Sequence, residues 1–161
     1  MVRLVRAVCT LVTASALLAP PSASLSAHEG ISVDESEAIV AACVSVVKEN
    51  GWPPFSIAVY DLGGQLKYFV SMDGAMPGSV DLAMLKGRTS ARFPFSTRQV
   101  EEISQSASGA SGLTDLPDMT SVAGGVPLFR NGKHIGGVGV SGALPEIDEQ
   151  CAILVAAALS D

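Results

Sequence analysis

Gly124 to Glu149 reads GGVPLFRNGKHIGGVGVSGALPEIDE, an unbroken order of strand, tight turn, glycine-studded strand and acidic helix start. Asn131-Gly132 stands between two apolar runs, the strongest short-range signal for a two-residue hairpin, because both central residues of that turn need positive φ. Such a turn sets Leu128 opposite Ile135 on one sheet face and Phe129 opposite His134 on the other. Beyond it, Gly136-Gly137 admits a bulge. Pro145, where a missing N–H costs no hydrogen bond, opens a helix, with Glu146, Asp148 and Glu149 near the positive end of its dipole. The glycines at 136, 137 and 139 strip side chains from part of the second strand, which allows either close helix packing or a slot for a flat ligand.

Working outward, Ser32 followed by Glu35 spells a capping box for a first helix that Asn50-Gly51 stops. Phe55 to Tyr60 and Gln65 to Val70 read as strands joined by a turn from Asp61 to Gly64. Ser79 is placed to cap a second helix from Val80 to about Arg92. On that helix Leu82, Lys86, Thr89 and Phe93 recur with helical spacing, so a lysine and a hydroxyl lie on the apolar edge. Lys86 there either anchors a ligand carboxylate or lays its stem over apolar surface with the ammonium in water. Gly87, inside the helix, calls for close approach by another element. Ser104 to Ser121 is rich in serine, glycine and aspartate and reads as a long loop. Helix, two strands, helix, loop, hairpin and helix make an α+β domain with a mainly antiparallel sheet.

The N-terminus has another character. Arg3 and Arg6 precede an apolar run from Ala7 to Ala19, and small residues follow from Ser22 to Ala27, the layout of a secretory signal peptide. Pro20-Pro21 ends the run short of the ~20 apolar residues that a membrane span needs. Residues 1–27 are therefore expected to be removed, with cleavage between Ser24 and Ala27, leaving a periplasmic or secreted domain over 28–161. Cleavage moves the formal net charge from -6 to about -8. So acidic a domain repels phosphate backbones, and nucleic acid is not an expected partner. Cys43 and Cys151 both lie on apolar helical stripes, and either remain two buried thiols or pair as a disulfide in an oxidising compartment.

Two motifs mislead. Gly137 to Gly142 matches G-x-G-x-x-G, but a dinucleotide fingerprint needs a further strand with an acidic residue ~20 positions on, and a helix follows instead. Ser141 sits in a strand-to-helix turn, as a nucleophile elbow would, yet both histidines precede it and no base is positioned. No His, Cys, Asp and Glu spacing predicts a zinc or calcium site, and no C-x-x-C-H predicts covalent haem attachment.

Ile57 to Leu66 (IAVYDLGGQL), Met72 to Ala75 (MDGA), Lys86 to Thr97 (KGRTSARFPFST) and Gly124 to Glu149 together resemble the GlcG/HbpS-like family. Its members include haem-binding secreted proteins and a domain attached to some corrinoid adenosyltransferases. Ser71 stands where the family commonly has arginine, and Leu85 where it has an acidic residue. The resemblance implies an α+β, broadly profilin-like domain of five or so antiparallel strands flanked by N- and C-terminal helices, assembled as a homo-oligomer. It implies a small-molecule ligand, haem b held non-covalently, with Asp73, Lys86, Thr89 and Arg92 lining a pocket for a polar small molecule or haem propionates. An axial ligand would come from His134 first, then Met72, Tyr68 or His28; binding at a subunit interface without a strong axial ligand is equally compatible. A non-enzymatic binder is the leading expectation. The alternatives are a protein acting on a small organic acid or corrinoid-like compound, and a purely structural oligomer-forming module.

Overall fold

The computed structural model describes residues 30–106 and 109–159; the expected signal peptide and His28 lie outside them. The first helix, α1 (Val33–Asn50), begins at the Ser32–Glu35 capping box and ends at Gly51 in the left-handed region, φ 64°. Strands β1 (Ser56–Asp61) and β2 (Leu66–Ser71) follow, then helix α2 (Pro77–Arg92). Pro77 starts α2 earlier than expected, so Ser79 is not its cap; the hydroxyl donates to Met76 O and meets Ser56 Oγ. Helix α3 (Thr97–Gln105), not among the expected elements, opens on a second capping box formed by Ser96 and Gln99. The loop beyond it holds a short 3₁₀ turn, Ser111–Asp115, before the hairpin of β3 (Gly125–Arg130) and β4 (Lys133–Ser141) and the last helix, α4 (Pro145–Ala157).

The four strands form one antiparallel sheet in the order β2-β1-β4-β3. The four that the residues themselves mark are present; the fifth implied by the resemblance is not among the described residues. Asn131 (φ 51°) and Gly132 (φ 73°) make the expected turn, and Phe129 pairs with His134. Leu128 pairs with Gly136 rather than Ile135. Ile135 is the extra residue of a bulge, and the bulge lets it bury in the core.

Helices cover both faces of this sheet. Ile57, Val59, Val138 and Val140 point toward α1 and α4, where they pack with Ile39, Cys43, Val47 and Val155. Cys43 and Cys151 are joined there as a disulfide with Cα atoms 5.9 Å apart. The two apolar stripes therefore face each other, and the alternative of two inert thiols is set aside. A cross-link closing so long a loop stabilises by about 2–4 kcal/mol.

On the opposite face Ala58 and Tyr60 meet Ala83 and Ala91 of α2. Between them α2 lies almost backbone to backbone on β4. A Cβ at Gly139 would sit 2.1 Å from Ala83 O and 2.2 Å from Gly87 N, and one at Gly137 2.3 Å from Ala91 N. The bare strip of the sheet is thus a seat for a helix, and within the protomer it holds no slot for a flat ligand. Gly139→Ala is expected to lower the unfolding free energy by about 1–3 kcal/mol or more through overpacking. Gly78→Ala, with nothing within 4 Å of the new Cβ, should be neutral or gain up to ~1 kcal/mol. Chemical denaturation of the two variants checks the contrast.

Candidate functional site

Seating Ala83, Gly87 and Ala91 on the sheet turns the opposite flank of α2 outward, and with it Arg88 and Arg92, one helical turn apart. These two guanidiniums line a cleft of about 530 Å³ closed by the β1–β2 turn (Leu62, Gly63, Gly64) and by Pro117-Asp118. The Arg88 guanidinium carbon lies 5.4 Å from the centre of the Tyr60 ring, a cation–π contact. Its Nη1 is 2.8 Å from Asp118 Oδ2. Its Nε is buried with no hydrogen-bond partner among the described residues.

Three residues of α2 hold the 111–120 loop in place. Arg92 Nη1 donates to Pro117 O at 2.9 Å, Thr120 N–H donates to Thr89 Oγ1 at 3.0 Å, and Arg88 takes Asp118. A second hollow of about 250 Å³, lined by Asp81, Met84 and Leu85, shares Arg88 and Asp118 with the cleft. Arg88 was open to recognition in the sequence, because it stands four residues before Arg92 on a helix.

Lys86 has neither of the expected roles. It is fully buried, its Nζ donating to Asp148 Oδ2 at 2.7 Å and to Val140 O at 3.0 Å. Asp148 in turn accepts from Ala143 N–H at 2.9 Å. Gly124, at φ 121°, makes room: a Cβ there would come within 2.8 Å of the ammonium. Burial pushes the lysine below its ordinary range and the carboxyl above its own, and each charge opposes the shift of the other. Lys86→Met should cost about 3–5 kcal/mol, because Asp148 is left buried without its cation. The double variant Lys86→Met/Asp148→Asn should lose less than the two single losses combined, and a double-mutant cycle by urea unfolding reads the coupling.

The remaining expected residues fall into separate places. Met72 and Asp73 border a hollow of about 330 Å³ beside Val44 and Lys48, and the Met72 sulfur accepts from Phe55 N–H at 3.4 Å. Tyr68 donates to Glu37 Oε1 at 3.4 Å. His134 packs its ring 5.4 Å from that of Phe129, and its Nε2 lies 3.0 Å from Ser90 O. A carbonyl only accepts, so Nε2 carries the proton and Nδ1 keeps the lone pair of the neutral ring. β1 pairs Ser56 with Ser141 at one end and Asp61 with Gly136 at the other. Met72, beside Phe55, and His134 therefore lie at opposite ends of strands roughly 20 Å long and do not share one iron within a protomer. Arg92 and His134 are at the same end; Met72 and Asp73 are not. Among the described residues no group of three or more His, Cys, Asp or Glu could hold a metal ion, and no helix is long and apolar enough to cross a membrane.

Residues 31–157 match the family profile described as haem degrading protein HbpS-like. Protein GlcG of Escherichia coli K12 is 36% identical over 111 residues, 69% of this chain and 81% of its own length. A double mutant of Streptomyces reticuli HbpS superposes with a TM-score of 0.75 at 29% identity, covering 92% of this chain and 100% of that one. The PduOC–haem complex has the same fold, with a TM-score of 0.72 at 23% identity over 82% of this chain and 99% of the other.

Proposed function

The chain belongs to the HbpS-like family, and on that premise we propose that it is an exported, non-enzymatic binding protein that holds haem b non-covalently. The observation that carries this reading is the pair of guanidiniums of Arg88 and Arg92 in one cleft. Propionates need cations, and charge-assisted bonds to arginine are the strong ones. The porphyrin also needs apolar surface, which Leu62 and Leu116 supply as exposed side chains and Met84 and Leu85 extend along α2.

Arg88 and Arg92 would hold the carboxylates. The lining of the cleft includes no histidine, methionine or cysteine; His134, at the same end of the sheet, would be the residue to hold the iron. When bound, haem would supply a redox-active iron. Asp73 and Met72 are outside this proposal, and Lys86 and Thr89 serve it only by holding α2 and the loop.

Export is supported by the N-terminal segment and by the Cys43–Cys151 disulfide, a bond that persists in oxidising compartments. Assembly as a homo-oligomer is supported by Ile153 and Leu154, both about half exposed on the outer side of α4. Haem added to the purified mature chain is expected to give a shifted, saturable Soret band at one equivalent per subunit or fewer. Arg92→Ala should weaken it about tenfold, and His134→Ala should move the band. A spectrum that stays that of free haem would contradict the assignment.

A further inference from the structure

We propose that Asp118 is an internal stand-in for a ligand carboxylate, and that the cleft takes compounds with two carboxylates on an apolar body by exchanging Asp118 for one of them. The inference deepens the binding reading above, since haem is one such compound, and rests on it for the identity of the apolar body.

Arg88 is under-used as it stands. A guanidinium presents its donors as a planar fork that suits two carboxylate oxygens at once. Here Asp118 engages Nη1 at 2.8 Å, at the edge of the guanidinium away from the buried Nε. A free carboxylate able to choose its approach could bridge Nη1 and Nη2 end-on, whereas Asp118 is tethered to its loop. Arg92, one turn on, has spent one donor on Pro117 O and has others to offer a second carboxylate.

Asp118 is also built to leave. Its backbone sits at φ 60°, a left-handed conformation that few side chains other than Asn and Asp adopt readily. Its side chain is 51% exposed, so release returns the carboxylate to water at little cost. The bonds at Pro117 O and Thr120 N–H bracket it on either side and confine the exchange to one residue. Finally, Asp118 and Arg88 both border the cleft of about 530 Å³ and the hollow of about 250 Å³. Withdrawing the Asp118 side chain would widen both toward Arg88, with Leu62 bordering the first and Asp81, Met84 and Leu85 the second. Two cations in a cleft with apolar margins would draw a dianion with an apolar body to the Arg88–Arg92 end, away from Asp81, even on a chain whose net charge is -6.

The test compares wild type, Asp118→Asn and Arg88→Gln, each first checked for an unchanged thermal transition. Asparagine keeps the size and the left-handed tolerance of aspartate and removes only its charge. The probes are haem, metal-free protoporphyrin, its dimethyl ester, and succinate as a small dicarboxylate without the apolar body. Asp118→Asn is expected to bind haem and protoporphyrin about threefold more tightly, the scale of a partly exposed ion pair. Arg88→Gln should bind them about tenfold more weakly, and the ester should bind weakly and equally to wild type and Asp118→Asn. Succinate that displaces protoporphyrin assigns the site to carboxylates in general; succinate that does not assigns it to the porphyrin diacid. Equal haem affinity of wild type and Asp118→Asn, or an ester as tight as the diacid, overturns the exchange while leaving haem binding intact. If wild type binds no porphyrin, the haem reading fails by itself, and calorimetry with succinate decides the exchange: a gain in Asp118→Asn supports it and no gain overturns it.

Discussion

Helix α2 meets strand β4 with no side chain between them at Gly87, Gly137 and Gly139, and that contact sets the position of everything else. Close packing of this kind gains dispersion over many atoms but tolerates no added methyl. It fixes the rotation of the helix about its own axis. Ala83 and Ala91 face the sheet, Lys86 is directed to Asp148 at the start of α4, and Arg88 and Arg92 face out. The Lys86–Asp148 bond ties α2, on one face, to α4, on the other. The Cys43–Cys151 bond ties α4 to α1, so the three helices around the sheet are joined in series.

The same contact decides which surfaces are left for a ligand. A sheet paved with glycine could have left a flat cavity; here the helix occupies it. On the outward flank of α2, two arginines, a tyrosine ring beneath one of them and a loop held by three side chains make a polar cleft with apolar margins. In the HbpS-like family the chain thus carries its candidate recognition chemistry on a helix surface rather than inside the domain. On a chain of net charge -6, that local pair of cations is the feature that would favour an anionic guest.

Features encoded within a few residues were legible from the sequence. Asn131-Gly132, Ser32 with Glu35, and the Asp61–Gly64 turn are each determined by local backbone chemistry, and each is where it was expected. Ser96 with Gln99 was equally local and marks α3, which the reading passed over. Features set by distant partners were not legible. Lys86 is buried because Asp148 lies 62 residues on and Gly124 leaves space for the ammonium. Ile135 becomes a bulge because the core beneath it has room for its side chain, which three neighbouring glycines could not announce. Arg88 stood beside Arg92 in plain view, but its partner Asp118 lies in a loop that no periodicity positions. His134 and, after it, Met72 were both candidate iron ligands, and only the strand register shows them at opposite ends of the sheet.

The central claim is that this flank of α2, and no interior slot, receives the ligand. Amide chemical-shift mapping of the labelled chain during titration with diamagnetic metal-free protoporphyrin tests it most directly. The account predicts shifts gathered at residues 61–65, 84–92 and 116–121, with 44–48 and 70–73 unmoved. Shifts centred on Met72 and Asp73, or spread along the α2–β4 contact through Gly137 and Gly139, would contradict it.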